Sequence, residues 1–169
     1  LILIGTLLIT LSAKIQVPFY PVPMTMQTFV ILMIGMTFGW KMGGLTVLFY
    51  LIEGALGLPV FAGTPVKGLG IAYMSGPTGG YLVGFVVATC TVGYLGERGL
   101  DRTFLNTFVS ISVGTLLILL CGYTWLSSLI GFEKAFIYGV LPFLWSELFK
   151  IALATAVLPV CWRYLNHST

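Results

Sequence analysis

Long apolar runs separated by short breaks rich in Gly and Pro set the pattern of this chain, and nowhere does it alternate strictly enough to suggest a half-buried sheet. Leu1 to Ala13 is apolar from its first residue. As a helix it would reach only about 20 Å, so the first helix reads as one entered partway along. Pro18-Phe19-Tyr20-Pro21-Val22-Pro23 is not helical, because each proline restricts the residue before it. Pro23 is placed to open a second helix to about Phe38. Gly39, Lys41, Gly43 and Gly44 predict a tight turn into a third helix, which carries Glu53 and ends near Leu56. A fourth begins near Pro77 and stops before Glu97-Arg98-Gly99-Leu100-Asp101-Arg102. Phe104 to Ile130 is a fifth helix without a charge, Gly131 to Gly139 a connection, and Pro142 to about Trp162 a sixth that Pro159 should kink. The expected architecture is all-α: a polytopic membrane protein with six transmembrane helices, one integral membrane domain over residues 1–169, and an external substrate pocket.

The connection after the third helix breaks a rule. Ordinary loops are polar because their backbone meets water, yet residues 57–75 carry Leu58, Val60, Phe61, Leu69, Ile71, Tyr73 and Met74. Irregular apolar backbone in a membrane protein is tolerated where it is buried in protein or lines a cavity. We read this loop, together with Pro18–Pro23, as a cover over a binding cavity.

Composition changes the picture by fixing the solvent. Hydrophobic residues make up 58% of the 169, charged ones 8%, and mean hydropathy is +1.04. Soluble domains carry about 25% charge, so the lipid bilayer is the expected surroundings. A net charge of +3 is too small for a nucleic-acid footprint. Cys90, Cys121 and Cys161 lie in apolar runs without pairing rhythm, and His167 is the only histidine; this predicts no disulfide framework, no metal site and no cofactor. Lys41, Arg98, Arg102 and Arg163 on one side against Lys14, Lys67 and Lys134 on the other place both termini in the cytoplasm. The covering loops and Gly131–Leu141 then share the external face.

Intramembrane ionisable residues are functional candidates by default. Glu147 and Lys150, three apart, share one helix face. They are either a ligand-binding pair or a pair that neutralises itself. Gln27 lies in the first turns of its helix, and Phe61, Tyr81, Trp145, Phe19 and Tyr20 fall at the same outer level, where aromatic belts also occur. Gly63 and Gly79 stand in Gly-rich stretches that permit close approach of backbone to a ligand or a helix. Gly76-Pro77-Thr78-Gly79-Gly80-Tyr81 lacks the Lys-Ser/Thr of a phosphate loop.

Four segments together carry a resemblance over the whole chain: Pro21-Val22-Pro23-Met24-Thr25-Met26-Gln27-Thr28, Gly54-Ala55-Leu56-Gly57-Leu58-Pro59-Val60-Phe61-Ala62-Gly63, Gly76-Pro77-Thr78-Gly79-Gly80-Tyr81-Leu82-Val83-Gly84-Phe85, and Pro142-Phe143 with Lys150. The chain resembles BioY, the biotin-specific S component of energy-coupling factor transporters. The resemblance implies a non-enzymatic, multi-pass subunit of the bacterial cell membrane that captures biotin from outside. It further implies a transmembrane coupling subunit and two cytoplasmic ATPase subunits as partners. The expected substrate-binding residues are Glu147, Lys150, Gln27, Phe61, Gly63, Gly79, Tyr81 and Trp145. Glu147 would accept from ureido N–H groups and Lys150 would donate to the ureido oxygen. The chain departs from the family where Trp145-Ser146-Glu147 replaces Pro-Gly-Asp. The alternatives are an S component for another small vitamin and a membrane-embedded enzyme using Glu53, Glu147 and Lys150. The latter lacks a nucleophile with a nearby base.

Overall fold

The computed structural model describes residues 1–18, 20–63 and 68–167; Phe19 and Lys67, which entered the expectations above, lie outside them. Helix α1 (Ile2–Lys14) leads into a two-stranded hairpin, β1 (Gln16–Val17) and β2 (Met24–Thr25), followed by α2 (Gln27–Ala55). A short α3 (Ile71–Met74), then α4 (Gly79–Glu97), α5 (Phe104–Ile130), α6 (Phe132–Gly139) and α7 (Leu141–His167) complete the chain. Helix α2 is two arms. Gly39 has φ 75° and ψ 174°, and a Cβ on Gly43 would lie 3.2 Å from Gly35 Cα. Those residues would stand about 12 Å apart along a straight helix, so the chain folds back at Gly39. With the two arms counted separately, α6–α7 taken as one run and the single-turn α3 set aside, six helices among the described residues form the all-α bundle.

Three boundaries differ from the sequence reading. Pro23 does not open a helix; the chain stays extended through Met24 and Thr25, which pair with Val17 and Gln16, and α2 begins at Gln27. Pro18 and residues 20–23 lie at the tip of that hairpin. Gly43 and Gly44 are not part of the turn, for they lie buried within the second arm, and Gly39 alone makes the reversal. Residues 131–139 are not a plain connection: Phe132–Gly139 forms a helix, started by Gly131 at φ 88°.

Helix α4 lies at the centre, packed most extensively against α2 and α5. Small residues permit this closeness. A Cβ on Gly35 would approach Thr89 O to 2.8 Å, one on Gly84 would approach Ile118 Cα to 2.9 Å, and one on Gly93 would approach Trp40 N to 2.5 Å. Helix association in lipid gains from such contact because lipid tails are as apolar as leucine. Gly5, Ile9 and Ala13 of α1 are all buried, with Gly5 facing Thr46. Outward positions are apolar: Leu3, Leu7, Leu11, Leu105, Leu116 and Phe149 are all exposed, as lipid contact requires. Buried hydroxyls bond back along their own helices, Thr46 to Met42 O and Thr89 to Phe85 O. By length and composition, four helical runs among the described residues can cross a membrane, α2 counted as one.

The two ends of the bundle differ in chemistry. At the Gly39 end, Glu97 Oε1 accepts from Trp40 N at 3.2 Å, and buried Asp101 accepts from Trp162 Nε1 at 2.6 Å. The opposite end carries the β hairpin and residues 57–63 and 68–78.

Gly39 and Gly131 provide a paired test of the reversal. Both have positive φ, which costs roughly 1–2 kcal/mol for a residue with a Cβ. At Gly131 the added methyl meets nothing within 4 Å, whereas at Gly39 it would come within 2.4 Å of Glu97 Oε1. Gly39→Ala should therefore lower the thermal midpoint in detergent more than Gly131→Ala. Equal shifts would mean that the Glu97 contact does not secure the turn.

Candidate functional site

Helix α7 enters the bundle with Glu147 and Lys150 facing inward, 4% and 5% exposed. Their side chains meet at 2.7 Å. An ammonium out of water needs an acceptor for each of its three N–H groups, and three are present. Lys150 Nζ donates to Thr25 O at 2.6 Å, Thr28 Oγ1 at 2.9 Å and Glu147 Oε1 at 2.7 Å. Thr28 in turn donates to Glu147 Oε1 at 2.9 Å. The hairpin brings Thr25 here and the first turn of α2 brings Thr28, so residues far apart in sequence form one closed set of bonds. All bonds to the carboxylate converge on Oε1. Glu147 Oε2 has no hydrogen-bond partner among the described residues.

The pair forms one wall of a narrow cavity with about 460 Å³ of empty space, counting its mouth. Val22, Pro23, Ala62, Phe85, Ile118, Leu119 and Phe143 supply apolar lining, and Thr25, Gln27, Thr28, Thr78, Tyr81 and Thr115 supply polar atoms. Few oriented polar groups in an apolar enclosure are the usual chemistry of a small-ligand site. Gln27 Nε2 donates to Tyr50 OH at 2.6 Å. Tyr81 is held against Phe143, ring centroids 5.9 Å apart, and donates to Gly139 O at 2.7 Å. This bond gives the helix at 132–139 a place in the site: its last carbonyl fixes a cavity wall.

Above the cavity, residues 57–63 fold inward. Phe61 stacks on Tyr73 with centroids 5.0 Å apart and meets Tyr50 edge-on at 5.5 Å. Gly54 leaves room for it, since a Cβ there would sit 2.1 Å from Phe61 Cζ. Val60, Phe61, Ala62 and Tyr73 are buried, while Leu58, Leu69 and Ile71 remain exposed. Burial pushes the Tyr73 phenol above its ordinary pKa. An outer vestibule lined by Gln16, Pro18, Pro21, Gly63, Tyr73 and Gly76 adjoins the cavity and shares Pro23, Ala62 and Thr78 with it.

The sequence candidates therefore separate into groups. Gln27, Tyr81, Glu147 and Lys150 line the cavity, and Gly63 lines the vestibule. Phe61, Gly79 and Trp145 do not line the cavity. Phe61 is a packing residue under the roof. Gly79 is tight against Met74 O and the Trp125 indole, whose Nε1 donates to Gly76 O at 2.9 Å. Trp145 points outward, 80% exposed. Glu53 accepts from Thr6 at 3.3 Å and ties α1 to α2. Thr25, Thr28, Thr78, Thr115 and Tyr50 escaped the sequence reading. Thr25 and Thr28 flank Gln27 in one of the quoted motifs, which was the available signal. Thr115 Oγ1 is buried without a hydrogen bond among the described residues and lines the cavity.

The model of the BioY family matches residues 1–167. A probable biotin transporter BioY of Pyrococcus horikoshii is 45% identical over 150 residues, covering 89% of this chain and 86% of that protein. The biotin transporter BioY of Thermotoga maritima is 37% identical, covering 91% and 89%. A crystal structure of the S-component for biotin from an ECF-type ABC transporter superposes with a TM-score of 0.81 at 25% identity, covering 95% of this chain and 87% of the other. Family model, relatives and fold agree, and the chain belongs to the BioY family.

Proposed function

We propose that this chain is the biotin-binding membrane subunit of an uptake system. The observation that carries the reading is the open Oε2 of buried Glu147 beside a lysine whose donors are all engaged. Biotin offers a flat ureido group with two N–H donors, an apolar thioether ring and a carboxylate tail. The Glu147 carboxylate accepts a ureido N–H, the apolar and aromatic lining takes the fused rings, and the tail lies toward the vestibule. A ligand oxygen at Lys150 has to displace Thr25 O, Thr28 Oγ1 or Glu147. This favours Glu147 as the direct contact and Lys150 as the group that holds it in place.

Binding here needs no bond making, and the chain acts by capture and release. Relatives named as biotin transporters and the ECF-type neighbour support the same role. We place the protein in the bacterial cell membrane with both termini in the cytoplasm and the cavity open to the outside. Its partners in this reading are a transmembrane coupling subunit and two cytoplasmic ATPase subunits. The single membrane domain over 1–169 holds the binding function by itself.

The full chain purified in detergent should bind biotin, measured by an equilibrium isotherm against other vitamins, without hydrolysing ATP. Selective binding of a different vitamin would overturn the assignment. Glu147→Gln should weaken biotin binding roughly 10- to 150-fold, since a hydrogen bond to a charged group is worth about 1.5–3 kcal/mol.

Stability and binding should separate. Lys150→Met alone strands a buried carboxylate, and breaking such a pair costs about 3–5 kcal/mol. The double variant Glu147→Met, Lys150→Met removes both charges and should restore most of the thermal midpoint while binding stays lost. Retained affinity in the double variant would return the pair to a structural role.

A further inference from the structure

The roof is fastened through its backbone. Three consecutive carbonyls are captured by two side chains from different helices. Lys14, the last residue of α1, donates to Pro59 O at 2.9 Å and to Phe61 O at 2.8 Å. Between them, Tyr50 OH reaches Val60 O at 3.1 Å. Lys14 is exposed at the rim. Tyr50 is 0% exposed and, unlike Lys14, is also bonded to a cavity residue.

Donor arithmetic fixes the direction of the Tyr50 contacts. A carbonyl can only accept, so the single phenolic proton goes to Val60 O. The group facing the phenol oxygen from Gln27 must then be the amide N–H, which sets the orientation of the Gln27 side chain. Its other atom, Oε1, accepts from Thr25 Oγ1 at 3.3 Å and retains a lone pair. The Thr25 carbonyl in turn holds Lys150. One hydroxyl thus stands between the polar wall of the cavity and the backbone of its cover.

We propose that Tyr50 is a positioning residue that couples occupancy of the cavity to the seating of the 57–63 roof. A donor on the ligand that engages Gln27 Oε1 polarises the amide. This strengthens Gln27 Nε2–H···O of Tyr50 and, through it, the Tyr50 O–H bond to Val60 O, because hydrogen bonds in a chain reinforce one another. The roof then sits more firmly over a filled cavity than over an empty one, and the benefit falls on residence time. This rests on the biotin reading for the identity of the ligand, but the tie itself is internal to the chain.

Tyr50→Phe removes the hydroxyl and keeps the ring that meets Phe61 edge-on. In the detergent-purified full chain, biotin dissociation should become about 3- to 10-fold faster, the range for one neutral hydrogen bond, with the association rate within about twofold. Hydrogen exchange at 57–63 should slow on adding biotin in the wild type and no longer do so in Tyr50→Phe. In a Gln27→Leu background, Tyr50→Phe should change dissociation by less than about twofold. An equal effect in both backgrounds would show that the hydroxyl is merely structural and overturn the proposal. A ligand-free measurement separates this from the choice of ligand. Without biotin, Gln27→Leu and Tyr50→Phe should each raise exchange at 57–63, and unchanged exchange in Gln27→Leu would sink the tie even if biotin binds as proposed.

Discussion

A lysine charge inside a membrane bundle makes demands that the rest of the molecule must meet. Hydrocarbon offers no acceptors, so each N–H of Lys150 left unbonded would cost several kcal/mol. Supplying three acceptors requires a carbonyl from an extended segment, a hydroxyl from a helix start and a carboxylate one turn away. The β1–β2 hairpin makes sense in this light. Two residues per strand contribute little stability of their own, but they keep residues 24–25 extended, so that Thr25 O is free to accept from Lys150 instead of entering a helical ladder. The reversal at Gly39 returns the second arm of α2 to the same end, bringing Tyr50 to Gln27. The site is thus a consequence of how a buried charge is satisfied.

Much of this was legible in the sequence, and the parts that were not have physical reasons. Apolar runs and Gly/Pro breaks gave the helices, with 104–130 matching α5 at both ends. The Glu147–Lys150 pair stood out because charge in an apolar run is expensive. The hairpin was hidden because its strands are shorter than any period that could reveal them. Helix α6 was hidden because Gly131 and Gly139 looked like the two ends of a loop. Tyr50 was the deepest omission: an aromatic residue in an apolar helix looks like packing or lipid contact until the fold shows what faces its hydroxyl. Lys14 counted only as a charge for orientation, yet its role is to bind loop carbonyls. Trp145 erred in the opposite direction, since a large aromatic two residues from Glu147 lies on a different face of the same helix.

The molecule divides into a firm part and a fastened part. Helices α2, α4 and α5 meet through glycines at distances that allow no slack, and this block carries Gln27, Tyr81 and Thr115 as fixed wall. Residues 57–63 are attached by stacked aromatics and three captured carbonyls, bonds that can open one at a time. In the proposed reading, ligand entry belongs to the second part and shape selectivity to the first.

The glycine seam also bears on how the protein reads under mutation. Gly35, Gly84 and Gly93 do not themselves line the cavity, although Gly84 packs against the lining residue Ile118, and backbone atoms crowd the place where a methyl would go. In a saturation screen scored by growth on the transported nutrient, these positions would be as intolerant as true ligand contacts. Outward leucines such as Leu7 and Leu116 would exchange freely for other apolar residues. Intolerance alone therefore maps the skeleton of the bundle and its pocket as one class, and only a readout that separates folded yield from occupancy can tell them apart.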